Sequence, residues 1–150
     1  MVSDHFEALT EPQRRGDATE AIVRMAFVVR GVTVLEPVGD NEPYDIVVDH
    51  DGEFSRIQVK TAYDAPSDGS VRFETRTTRV KSSGYERGRY DGHIEFFVVY
   101  SPKTGDVYLV PVEETPKDAM TIRYQTAKNN NTSQINWHAD YLLDESLHLL

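Results

Sequence analysis

Apolar residues recur along this chain with two different periods, and the change between them divides it into elements. Between residues 11 and 30, Ala18, Ile22, Met25, Ala26 and Val29 fall three or four positions apart, the spacing that gathers side chains on one face of an α-helix. Thr10 can cap this helix, Pro12 suits its first turn and Gly31 ends it. Gly16 is a weak point that marks a kink or a later start with Asp17 as cap. Beyond Gly31 the period shortens towards two. Residues 32–35 read as a short strand and "EPVGDNEP" as a loop. Residues 44–49 and 54–61 read as two strands joined by a tight turn at "HDG". After the loop "YDAPSDGS", residues 71–79 alternate with β-branched and aromatic side chains, whereas "KSSGYERGRYDG" is polar, contains glycine and is expected to be a mobile loop. Strands are expected at 94–100 and 106–112 around the turn "SPKTG", and a weaker one at 120–124. "KNNNTSQ" is a loop, and a short helix carrying Trp137 is expected over 136–143. A helix, a run of strands and a little terminal helix make an α+β plan, with the first helix covering one face of a mixed or largely antiparallel sheet.

At 150 residues the chain fits one domain, 1–150, and its 39% hydrophobic and 27% charged residues suit a soluble protein. No apolar run approaches the ~18 residues that span a bilayer. The start, "MVSDHFEALTEPQRRGD", is acidic where a secretory signal is basic and then apolar, so a cytoplasmic location is expected. The absence of cysteine agrees with that and excludes disulfides and thiolate metal sites. A net charge of −9 counts against a nucleic-acid partner, which is held largely by basic residues. The distribution changes that picture. Arginine outnumbers lysine 11 to 5, and between Ser70 and Tyr90 the local balance is +4. An acidic body with one basic stripe fits a halophilic protein that keeps a phosphate-facing surface; a charged solvent face is the alternative.

The hairpin "YDIVVDHDGEFSRIQVKTA" carries the candidate chemistry. Alternate side chains of a strand share a face, so Gln58 and Lys60 point one way while Ile57, Val59 and Thr61 point the other. Asp45 on the first arm can join Gln58 and Lys60 near one end, leaving the opposite face apolar. On the helix, Glu20 lies on a line with Gly16, Val23 and Phe27, at the margin of the apolar stripe, from which its carboxylate can reach the sheet.

This arrangement resembles the PD-(D/E)xK nuclease superfamily, marked by an acid on one strand, acid-x-Lys on the next and a glutamate from a preceding helix. The matching residues are Glu20 in "GDATEAIVRMAF", Asp45 in "EPYD", and Gln58 and Lys60 in "IQVK". Two departures are visible: Tyr44 stands between Pro43 and the aspartate, and glutamine replaces the second acid. The form "QVKT", with the later "FFVVYSPKTGDVYLVPVEE", resembles the branch of group I intron-encoded, intron-associated homing endonucleases; the likeness runs from about Gly16 to Glu114.

The resemblance implies a restriction-endonuclease-like core and a Mg²⁺-dependent DNA endonuclease, with Mn²⁺ able to substitute. It implies catalytic roles for Glu20, Asp45, Gln58 and Lys60. Mg²⁺ prefers oxygen ligands. They would come from Asp45, the Gln58 amide, the Val59 carbonyl and Glu20, directly or through water, and the site would bind metal more weakly than one with three acids. Lys60 would hold or polarise the attacking water and stabilise charge on the phosphate. Arg72, Arg76, Arg79, Lys81, Tyr85, Arg87, Arg89 and Tyr90 are the candidate DNA contacts. So small a domain covers few base pairs, so a homodimer or homotetramer is expected for a long site. A Holliday-junction resolvase-like nuclease carries similar residues in the same order, although the QxK form argues against it. A non-catalytic DNA-binding module with a degenerate site is the reading from another class. The five histidines are scattered without zinc spacing. Asp91 and Glu95, ahead of "FFVVY", fit structural roles as well as catalytic ones, and Trp137 is expected to pack in the core.

Overall fold

The computed structural model describes the backbone at residues 2–81, 84–90, 92–126 and 135–150, with side chains throughout these except at 77–81 and 84–89. Two helices come first, α1 (Val2–Glu7) and α2 (Pro12–Val28). Ten strands follow: β1 (Thr33–Leu35), β2 (Ile46–His50), β3 (Glu53–Thr61), β4 (Tyr63–Asp64), β5 (Ser70–Glu74), β6 (Arg76–Lys81), β7 (Gly84–Arg89), β8 (Phe96–Ser101), β9 (Asp106–Pro111) and β10 (Ala119–Arg123). A 3₁₀ turn at His138–Asp140 and the short α3 (Leu143–Ser146) come near the end.

The main sheet has five strands in the order β1-β2-β3-β8-β9. Its only parallel pair is β3 with β8, where Ile57 lies beside Phe96 and Lys60 beside Val99; the other pairs are antiparallel. The fold is thus α+β with a mixed sheet. The β2–β3 hairpin closes through Asp51 and Gly52, at φ 54° and 86°, the pair of positive angles that matches a two-residue turn to the twist of its strands. The Asp49 side chain also accepts a hydrogen bond from the Gly52 N–H at 3.0 Å.

The alternation along β3 separates two cores. Ile57 and Val59, with Ile46 and Val48 of β2, are buried under Val23, Ala26 and Phe27 of α2. The opposite face of the sheet, including Phe97, Val99, Tyr108 and Val110, is covered by Val71, Phe73, Met120 and Ile122 from a three-stranded sheet in the order β10-β5-β4. A helix therefore covers one face of the main sheet and a second sheet covers the other. Among the described residues no helix is long and apolar enough to cross a membrane.

Four local features differ from the expectations or add to them. Helix α2 buries Thr19, Val23, Ala26 and Phe27, whereas Met25 is 52% and Val29 67% exposed. Two apolar lines run side by side on this helix, and the one carrying Phe27 brings the larger aromatic area to the sheet. That rotation leaves Glu20 at the margin of the buried face. Second, the polar stretch after residue 80 is not simply a loop: β6 and β7 form a two-stranded ribbon in which Arg76 pairs with Arg89 and Thr78 with Arg87. Mutual backbone bonding holds such a ribbon without an apolar pattern. Third, the C-terminal helix starts later, because Trp137 bridges to Arg123 and Leu142 to Tyr108 in extended conformation. Fourth, the polar N-terminus contains α1, whose Phe6 is buried edge-on to Tyr100 with ring centroids 5.2 Å apart and lies under the Arg15 guanidinium.

Candidate active site

Asp45 lies one step before β2, where the register places it beside Gln58. Its backbone N–H donates to the Ile57 carbonyl at 2.9 Å, and its Oδ2 accepts the Val59 N–H, also at 2.9 Å. The carboxylate thereby stands where the next ladder partner would be, fixed to the strand that carries Lys60. Burial raises its pKa; the Val59 N–H and the charges of Lys60 and Arg24 oppose the rise without cancelling it.

Lys60, on the face of β3 away from α2, sends its ammonium to the Tyr90 hydroxyl at 3.3 Å and lies 5.0 Å from the centre of that ring. Burial lowers its pKa, against the pull of Asp45 and Glu74. Glu20 comes from α2 on the other side. Its pKa is raised by burial and then by the Asp45 charge, while Arg24, which donates to it at 3.2 Å, acts in the opposite direction. Arg24 also pairs with Glu36. The half-buried Gln58 amide is held weakly, its Nε2 donating to the Val59 carbonyl at 3.5 Å, the outer limit of a hydrogen bond.

Asp45 is thus the hub of this end of the hairpin: its charge acts on both Glu20 and Lys60, and Gln58 and the Val59 carbonyl lie beside it in the register. Among the described residues no group of three or more His, Asp or Glu side chains is arranged to hold a metal ion. The acidic donors are two carboxylates, the nearer raised by burial and the other further raised by repulsion. Oxygen donors that carry negative charge suit a hard divalent cation.

The other expected positions separate. Arg72 and Arg76 line a surface groove with Tyr63, Asp64, Glu74 and Asp118. Arg76 stands 3.9 Å from Glu74 and 3.8 Å from Asp118. Tyr90 is not a surface residue: it is 8% exposed, edge-on to Phe97, and its hydroxyl meets Lys60. Its assignment as a DNA contact is therefore corrected, because the ring is enclosed by the second core. The side chains of Arg79, Lys81, Tyr85, Arg87 and Arg89 lie outside the described part, as does Asp91.

Glu95 is a structural brace. Its carboxylate accepts bonds from the Arg56 guanidinium at 2.7 and 2.9 Å and from the Arg56 N–H at 3.0 Å, joining β3 to the start of β8. Burial acts to raise its pKa, but the Arg56 bonds and charge prevail and lower it. A depressed folded-state pKa means that the contribution is complete above the ordinary glutamate range and is lost as pH falls through the folded value. With Arg56 and Glu95 40% and 38% exposed, screening keeps it modest. Glu95→Gln is expected to destabilise the protein by about 1 kcal/mol or less at neutral pH and by nothing once pH falls below the folded-state value; urea unfolding across pH checks this.

Over residues 10–144 the chain matches the PD-(D/E)XK endonuclease family, and it belongs to that family. In sequence it is similar to Protein 5.3 of Escherichia phage T7, with 32% identity over 83 residues, 55% of this chain and 70% of the phage protein. In structure it is similar to a bacterial homing endonuclease, I-Ssp6803I, with a TM-score of 0.75 and 24% identity over 93% of each chain. The restriction-endonuclease-like core expected from the motif is the fold observed.

Sequence reasoning missed Arg24, Glu74 and the true place of Tyr90. Arg24 had a signal, four positions after Glu20 on one helix face. Glu74 and Tyr90 reach Lys60 only through the tertiary fold and had none.

Proposed function

We propose that this protein is an endonuclease that hydrolyses DNA phosphodiester bonds with Mg²⁺, Mn²⁺ being able to substitute, and that it is of the homing, intron-associated type. The observation that supports the reading is Asp45, bonded to the Val59 N–H and close enough for its charge to act on both Lys60 and Glu20. The family and the fold of a homing endonuclease support it.

Asp45 is the principal metal ligand, held by the Val59 N–H. Glu20 acts beside it, directly or through water. Half a turn of the Gln58 amide would bring its oxygen to the side of the Val59 carbonyl, giving two neutral oxygen ligands where relatives have an acid. The bound cation would supply neutralisation of phosphate charge and a more acidic water. Lys60 holds the attacking water and offers its ammonium to the phosphate oxygens, with Tyr90 limiting its swing. Arg72, Arg76 and the β6–β7 ribbon, with Arg79, Lys81, Tyr85, Arg87 and Arg89, hold the DNA. A two-stranded ribbon is of a width that the major groove admits. One domain covers few base pairs, so the active form is a homodimer or homotetramer.

The test is incubation of purified protein with supercoiled, linear and four-way-junction DNA, at low and high salt. Nicking or linearisation of duplex that requires Mg²⁺ or Mn²⁺ and stops with EDTA is expected. Cutting confined to junctions would replace the homing reading with a resolvase-like one. Binding without cutting, unchanged by Lys60→Ala, would leave a DNA-binding module.

A further inference from the structure

The Thr19 and Thr61 hydroxyls lie 2.6 Å apart across the interface between α2 and β3. Thr19 precedes Glu20 and is 1% exposed; Thr61 follows Lys60 on the face of β3 turned towards α2. From this contact we infer that Thr19 and Thr61 are positioning residues, a clasp that sets where Glu20 stands relative to Asp45 and Lys60. The inference rests on the nuclease reading above.

The rest of the interface ties Glu20 to β3 less directly. Val23, Ala26 and Phe27 meet Ile46, Val48, Ile57 and Val59 through apolar contacts, which are non-directional and resist separation better than a slide along the sheet. The first turn of α2 gives no anchor, because its N-cap, Glu11, makes no side-chain capping bond. Of its other polar ties, Arg15 to the Phe6 and Leu9 carbonyls and Arg30 to Asp144 do not reach β3, and Arg24 reaches Glu36, just past the edge strand β1, through a long, part-exposed side chain. A hydroxyl-to-hydroxyl bond is directional. Threonine also has few χ1 states, so the bond carries its constraint to both backbones. Each hydroxyl is one residue from a group of the site, which makes the lever arm short.

Thr19→Val and Thr61→Val keep side-chain shape and remove one hydroxyl, leaving the other without its partner in a part-buried place. The double variant strands neither, so its melting temperature is expected to recover from the fall in the single variants. Position and stability then separate. If the clasp positions Glu20, all three variants lose about tenfold in kcat and about tenfold in Mn²⁺ affinity by calorimetry, and the double variant stays impaired despite its recovered stability. DNA affinity without metal is unchanged, and Thr19→Ser with Thr61→Ser restores both losses. Wild-type kcat and Mn²⁺ affinity in the double valine variant, or losses that follow only the melting temperature, would overturn the inference while cleavage by the wild type stands. A wild-type protein that neither cuts DNA nor binds Mn²⁺ would overturn the nuclease reading and the clasp with it, and is recognisably a different result.

Discussion

Lys60→Met is expected to lower kcat for DNA cleavage by about 10²–10³-fold while the protein stays folded and binds DNA. The ammonium beside Tyr90 is the positive side-chain group on the inner face of the hairpin at this end, and methionine fills its place without charge. The folded state lowers the Lys60 pKa, chiefly by burial. Below that lowered value the charged form costs stability in the native state. Removing the charge is therefore expected to raise the urea midpoint at neutral pH, so a loss of activity cannot be a loss of folding. Cleavage by the variant at the wild-type rate would remove Lys60 from the chemistry.

Asp45→Asn is expected to abolish measurable Mn²⁺ binding and to reduce cleavage by about 10³-fold or more. Asparagine keeps an oxygen for the Val59 N–H, so the local backbone is retained and the charge alone is lost. Here too stability should rise. An acid whose folded pKa is raised binds its proton more tightly in the native state, so stability falls as pH rises through the interval between unfolded and folded values and stays lower above it. The asparagine variant lacks that loss. Its advantage over wild type should appear at neutral pH and vanish below the ordinary aspartate range. A destabilised Asp45→Asn protein would mean that attraction to Lys60 and Arg24 outweighs burial.

The hairpin was legible because its signals are local: alternation on both arms and "HDG" between them. The acid and the lysine were legible for the same reason, since strand parity alone brings Asp45 near Gln58 and Lys60. The face of α2 was misread because two neighbouring lines of apolar residues satisfy the same helical spacing, and only the sheet decides which is covered. The β6–β7 ribbon was missed because a ribbon bonded mainly to itself needs no apolar pattern. Tyr90 stood among arginines in the sequence, which pointed to DNA. Its burial depends on β8 entering beside β3, a pairing between distant segments that no short-range pattern announces.

That parallel pairing has a consequence for change in this protein. Everything between Thr61 and Phe96 leaves the main sheet on one strand and returns on its neighbour, and the ribbon with most of the basic stripe lies within this excursion. Its ribbon can be lengthened, shortened or exchanged while the two strands that bracket it keep their register. On the function proposed above, recognition and hydrolysis are separable along the chain, and a new DNA preference can arise by replacing one continuous segment without disturbing Glu20, Asp45 or Lys60.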